Sequence, residues 1–456
     1  MAQRIEQVFS PSCYNSVVLL ITMARILPFP ALRYNPARVR LADVVTQPYD
    51  KITAEMQERY YAASPYNLVR IILGKREPGD NCQNVYTRAA AAFSQWREEE
   101  VFLRDPQPML YAYAQEFAVP GSPEKSLERL GFIALGQLEP YDAGVVFRHE
   151  QTHSGPKTDR LNLLRATRAH FGQIFMLYND PAGEIDNALA KVARYPADVE
   201  VRDEYDVRHR LWPIPGLVEF IRRRMENAQL IIADGHHRYE TALAYRDECR
   251  AAAAKPDPDA PWEFVMATLV DMSDPGLVVL PTHRTIADLS SFQPQQFRQQ
   301  LEKSFATEAC PSLEKLLAAM KNGRHLIGMR DAIGFALLRP KDLDALRPLF
   351  ANKPPLWHTL DVAILHLGIL EAVLGIDEAR LREEANVTYW READQAAELV
   401  QAGQAQLAFF LNPTDVQDVK AVADARSRMP QKSTDFYPKL LSGIVINDLQ
   451  TANGHE

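Results

Sequence analysis

Cysteine is scarce and scattered: the four in 456 residues, Cys13, Cys82, Cys249 and Cys310, form no CxxC pair. That spacing excludes a dense disulfide framework and a cysteine-rich zinc site, and it fits a reducing compartment. Long hydrophobic runs are missing too. The apolar stretch "SVVLLIT" at Ser16–Thr22 is far too short to cross a bilayer, which takes about 20 residues, and no A-x-A-like cleavage site follows it. Positive charge is not in excess, since 51 Lys and Arg against 59 Asp and Glu leave a net charge of −8 spread along the chain. Such a balance argues against a surface built to hold nucleic acid or an anionic membrane, while leaving room for a local basic pocket. The chain lacks a Walker A loop, because "GPKT" does not have the G-x-x-x-x-G-K-S/T spacing, and it lacks the G-x-S-x-G elbow of hydrolases.

What is present is ordinary globular composition, 46% hydrophobic and 24% charged, over a length that predicts two or three domains. Residues 1–22 read as an upstream extension with Met23 as the start, and the cytoplasm is the expected location. Residues 23–145 form an N-terminal α/β region, with an amphipathic helix over Val85–Phe102 and two strands, "MLYAYAQEFAV" and "RLGFIALGQL", joined by the turn-rich "PGSPEKS". Residues 146–290 alternate strands such as "QIFMLY" and "LIIA" with helices such as "GLVEFIRRRMENA" and "YETALAYRDECRAAAA". Residues 291–456 form a further α/β region, whose closing stretch "MPQKSTDFYPKLLSGIVI" is expected to fold back on the body.

The densest chemistry lies in "LIIADGHHRYETALAYRDE", Leu230–Glu248. A buried strand, a sharp turn at Asp234-Gly235 and a helix make a strand–loop–helix unit. The first helical turn offers N–H groups with no intrahelical partner at the positive end of the dipole, which is an anion site. Gly235 permits close approach of a phosphate, while His236, His237 and Arg238 add donors. Asp234 is expected to cap the helix, to hold a magnesium ion, or to take a proton from an attacking hydroxyl. Zinc binding by the adjacent histidines is disfavoured, because neighbours at i and i+1 diverge on a helix.

Other clusters are candidates for the same pocket. "HEQTH", His149–His153, matches the zinc-protease letters but is followed at once by Gly155-Pro156, so the helix that chemistry needs is missing. A polar loop contributing His149, Lys157, Asp159 and Arg160 to an anion pocket is the expectation. "PTHRT" contributes His283 and Arg284, and "PQKST" contributes Lys432 and Ser433, as further candidate phosphate contacts.

"DGHHR" before a helix resembles the nucleotide-binding motif of the ParB-like superfamily, which includes chromosome-partitioning proteins, sulfiredoxins and free-serine kinases. From "ILPFPALRY" to "MPQKSTDFYPKLLSGIV" the chain resembles a prokaryotic family known as domain of unknown function 1015, on the motifs "QPYDKI", "HEQTHSGPKTDRLNLLRAT", "IADGHHRYETAL" and "MPQKST-FYPK". The resemblance implies an α/β (α+β) fold with a ParB-like nucleotide-binding core and additional N- and C-terminal α/β regions. It implies that Gly235, His236, His237 and Arg238 hold the phosphates of ATP or ADP, with Mg2+. The turn has no cysteine, unlike sulfiredoxins, and no helix-turn-helix or basic face of a partitioning protein is found. The pentad is most similar to the free-serine kinases, which implies Asp234 in phosphoryl transfer and a second catalytic acid, for which Asp50 and Glu150 are the candidates. The expected partners are a nucleotide and a small hydroxylated metabolite, without nucleic acid or membrane.

Overall fold

The computed structural model describes residues 24–149, 155–321, 323–383 and 385–450. The expected extension at 1–22, and Glu150 and His153 of "HEQTH", lie outside these residues.

The fold is mixed α/β. Its centre is a nine-stranded sheet of β1 (Ile26–Leu27), β2 (Tyr111–Val119), β3 (Ser122–Gln137), β4 (Val146–Arg148), β5 (Ile174–Tyr178), β6 (Val199–Arg202), β7 (Arg208–Pro213), β8 (Leu230–Asp234) and β9 (Phe264–Asp271). The order is β4-β8-β5-β9-β3-β2-β7-β6, with β1 on β3. Only β8–β4 and β9–β5 run parallel. One sheet therefore draws strands from both sides of residue 145, because β9 zips antiparallel along β3 from Phe264 opposite Gln137 to Val270 opposite Gly131.

Period-two patterning explains why the sheet is covered on both faces. Ile174, Met176, Leu230 and Ile232 point to one core, whereas Phe175, Leu177 and Ile231 point to the other. Helix α3 (His236–Ala252) packs Tyr239 and Ala242 on the first face. The second face shares a continuous core with a six-stranded antiparallel sheet of β10 (His283–Ile286), β11 (Phe305–Cys310), β12 (Ile327–Arg330), β13 (Phe335–Pro340), β14 (Val387–Trp390) and β15 (Leu407–Phe410), ordered β11-β13-β12-β15-β10-β14.

Local differences from the sequence reading have local causes. Helix α1 stops at Glu98 (Val85–Glu98), capped by Asn84, and Phe102 opens a short strand instead. The stretch "PGSPEKS" turns at Pro120-Gly121, where Gly121 has φ +79°, and its remainder continues as strand β3. Residues 155–167 form helix α2 (Gly155–Thr167), so Lys157, Asp159 and Arg160 sit on a helix and not on a polar loop. The closing stretch does fold back: Asp435–Tyr437 pairs with Val278–Leu280, Asn447–Asp448 pairs with Ala169–His170, and Leu441, Ile444, Val445 and Ile446 are buried. No helix among the described residues is long and apolar enough to cross a membrane.

Candidate functional site

Strand β8 ends in a bulge. Its register against β5 shifts between Ile232 and Asp234, which re-aims the last side chain of the strand. Gly235 follows at φ +92°, a left-handed conformation that side chains resist, and a Cβ there would lie 3.0 Å from Arg238 Nη2. The chain then enters α3. Gly235, not Asp234, holds the capping position, and no side chain caps the helix. The expectation of an Asp234 cap is thus corrected, because its carboxylate is taken elsewhere. Arg238 Nη2 donates to Oδ2 at 2.9 Å, and Lys439 Nζ donates to Oδ1 at 3.0 Å.

Lys439 also pairs with Asp435 Oδ1 at 3.0 Å, and Arg391 grips Asp435 Oδ2 at 2.6 and 2.8 Å. A run of alternating charges results: Arg238, Asp234, Lys439, Asp435, Arg391. Burial pushes the Asp234 carboxyl up, but Lys439 and Arg238 outweigh it and hold the group well below its ordinary value. Asp435 is held low in the same way, by Lys439 and Arg391 against its burial. The Lys51 ammonium is pulled down by burial and by the neighbouring charge of Lys439.

These groups line a cleft of about 550 Å³. One wall is the segment Gln47, Tyr49, Asp50, Lys51. The floor is Asp234 to Arg238, and the far side carries Tyr205, Trp390, Arg391, Lys432, Thr434 and Lys439. Three motifs separated by almost two hundred residues each, "QPYDKI", "IADGHHRYETAL" and "MPQKST-FYPK", therefore meet around one helix start.

The other sequence candidates fall at varied distances from the cleft. His149 is buried behind it, with Nδ1 2.7 Å from the Ile232 carbonyl and Nε2 2.8 Å from Thr434 Oγ1. A carbonyl can only accept, so Nδ1 donates and, in the neutral ring, Nε2 accepts from Thr434. Both nitrogens are engaged in holding the cleft wall, which leaves none for a zinc ion. The His149 and His236 rings meet at 5.0 Å, edge to face. Burial, then the proximity of His149, lowers the His236 imidazole well below its usual range, so it lines the cleft as a neutral ring.

Lys157 is outside the lining and pairs with Glu240 on α3. Asp159 binds the Tyr86 hydroxyl at 2.8 Å and Arg76 at 3.1 Å. Arg160 stacks 4.2 Å above the Tyr49 ring, bracing that wall from behind. His283 is buried in the six-stranded sheet, accepts from the Leu411 amide at 3.3 Å and is driven by burial down to about 4. Arg284 donates to the Lys432 carbonyl at 2.9 Å, and Ser433 donates to the Pro430 carbonyl at 2.6 Å. Both shape the Lys432–Thr434 loop while facing a separate cavity of about 730 Å³. Lys432 itself lines the cleft.

Lys439, Asp435, Lys51 and Arg391 escaped the sequence reading. Lys439 stands in the quoted "FYPK", but its place in the cleft is not marked locally, since one partner, Asp234, is 205 residues away and only Asp435 is near in the chain.

No curated protein matches the chain. Among solved structures, the chain is similar to a conserved hypothetical protein from Pyrococcus furiosus at 11% identity and TM-score 0.33, covering 66% of this chain and 91% of that one. A free serine kinase in complex with AMP is similar at 12% identity and TM-score 0.34, covering 66% and 88%. SbnI with C-terminal truncation from Staphylococcus aureus is similar at 10% identity and TM-score 0.31, covering 69% and 82%. The family model described as "Protein of unknown function (DUF1015)" matches residues 26–363, and the chain belongs to that family.

Proposed function

We propose that the cleft binds ATP or ADP and serves phosphoryl transfer to a small hydroxylated metabolite, with free serine favoured by the resemblance of the DGHHR pentad alone. The observation that carries this reading is the convergence of three distant motifs on the start of α3, where helix amides, Arg238, Lys439, Lys432 and Lys51 face one space. Amides at a helix start suit phosphate oxygens without reorganisation, and cations around them stabilise charge spread over a transferred phosphoryl group.

Asp234 orients the acceptor hydroxyl by accepting its hydrogen bond. A carboxylate this acidic is a weak base, yet phosphoryl transfer through a loose transition state asks mainly for positioning. Asp50 lines the same cleft and is the candidate second acid. Magnesium does not fit at Asp234. Each carboxylate oxygen already faces a cation at 2.9 or 3.0 Å, so a divalent ion there would lie against Arg238 or Lys439. Among the described residues no group of three His, Cys, Asp or Glu is arranged to hold a metal.

The same ion pairs favour one rival: a regulator that binds nucleotide without transferring phosphate. Asp234→Asn separates the two. For the enzyme, turnover over a panel of hydroxylated metabolites falls by about 10²–10⁴-fold while calorimetry shows nucleotide affinity retained. Nucleotide binding with no acceptor anywhere in the panel identifies the regulator, and no nucleotide binding refutes both.

A further inference from the structure

The cleft's nucleotide reading leaves unexplained a buried cation beneath its floor. Arg129 on β3 is 1% exposed, yet among the described residues it has no carboxylate within ion-pair distance. Every bond it makes goes to a neutral oxygen: Nη1 to the Tyr437 carbonyl at 3.1 Å, Nη2 to the Pro438 carbonyl at 2.5 Å, and Nη2 to Gln115 Oε1. Its Cζ lies 4.5 Å from the Phe175 ring centroid. Removing a charge from water without a counter-charge is costly, so a stable fold gains little from this arrangement by itself.

The arrangement does something specific to the closing stretch. Gln115 on β2 stands directly opposite Arg129 in the β2–β3 register, is itself 1% exposed, and donates Nε2 to the Lys439 carbonyl at 2.8 Å. Two paired side chains thus hold three successive carbonyls, those of Tyr437, Pro438 and Lys439. The position of the Lys439 side chain follows from that grip. Its ammonium has three N–H donors. Asp234 Oδ1 takes one and Asp435 Oδ1 another, each at 3.0 Å, which leaves the third at the cleft surface that Lys439 helps to line.

We infer that Lys439 is a phosphoryl-gripping cation of this cleft and that the Gln115–Arg129 pair is the positioning device that aims it. The two carboxylates fix the ammonium from one side, the clamp fixes the backbone from the other, and the remaining donor meets an anionic oxygen without rotamer search. The unpaired charge of Arg129 adds to the positive field under the same spot. The inference rests on the nucleotide reading and adds to it the residue that senses the phosphate.

The experiment titrates ADP, and separately adenosine, into wild type, Lys439→Gln and Gln115→Met by calorimetry, with melting temperatures measured alongside. Lys439→Gln is expected to lower ADP affinity about tenfold or more, because a charge-assisted bond is lost, and to leave adenosine affinity unchanged. Gln115→Met keeps the volume and removes the grip on the Lys439 carbonyl together with one acceptor of Arg129, so it lowers ADP affinity in a protein whose melting temperature stays well above the titration temperature. Wild-type ADP affinity in a folded Lys439→Gln overturns the grip while the nucleotide reading stands. A melting temperature that falls in Gln115→Met with ADP affinity unchanged makes the clamp merely structural. Should Lys439→Gln fail to fold, Gln115→Met decides alone. If wild type binds no ADP, both readings fall together.

Discussion

Asp234, the last residue of β8, and Asp186, on the helix Glu184–Val192, lie toward opposite ends of β5, and their acidities diverge. Asp234, opposite Phe175, is surrounded by Lys439 and Arg238 and stays ionised far below its ordinary range. Asp186 lies against the Tyr178 hydroxyl at 3.3 Å, where burial, then the charges of Asp271 and Asp274, push its carboxyl up to about 7. Asp274 is raised by burial to about 6, and Asp271 Oδ2 is buried with no hydrogen-bond partner among the described residues. The two regions share residue type and burial; cations make the difference. A buried carboxylate is an anion where lysine and arginine accompany it and a proton acceptor near neutrality where other acids do. The end furnished with cations is the end that faces the cleft.

The largest expected effect comes from erasing that difference. Lys439→Met leaves Asp234 and Asp435 without their shared partner, which costs about 3–5 kcal/mol at pH 7 in urea unfolding. A cost within ordinary surface values would mean the ion pairs are solvent-screened and the comparison is empty. Next is Gly235→Ala, which forces a side chain into φ +92° and against Arg238, for a loss of about 1–2 kcal/mol and weakened nucleotide binding. Unchanged stability would show that the turn relaxes freely. The smallest effect sharpens the other end. Because the folded value of Asp186 lies above the unfolded one of about 3.9, its contribution is fully present at acid pH and is lost as pH rises through about 7. Asp234 behaves oppositely, its contribution being present above about pH 4 and lost as pH falls toward its depressed value. Asp186→Asn is therefore expected to flatten the decline of melting temperature between pH 5 and 8 and leave the acid limb intact. A slope identical to wild type would remove the proton from Asp186.

Much of this molecule is legible along the chain because its signals are local. The apolar runs of "LIIA" and of β9 announce buried strands, and the glycine after Asp234 announces the turn that turns out to be left-handed. The N-cap expectation for Asp234 was a local rule overridden by a distant lysine. The loop expectation for Lys157, Asp159 and Arg160 failed because Gly-Pro can open a helix as readily as close one, proline losing no bond in the first turn. The boundary near residue 145 could not be seen as internal to one sheet, since the pairing of β3 with β9 is set by contacts more than a hundred residues apart.

By itself the sequence determined most of the strands and helices, where the glycine turn before α3 lies, and which residues could carry charge there. Periodicity and turn chemistry act over a few residues, so a single chain displays them. Tertiary structure alone decided that Lys51, Lys439 and Arg391 would surround Asp234 and Asp435, and that Gln115 and Arg129 would hold Lys439 in place. Electrostatic partnership depends on distance in space, and folding sets that distance only after the sheet has joined segments that the chain keeps far apart.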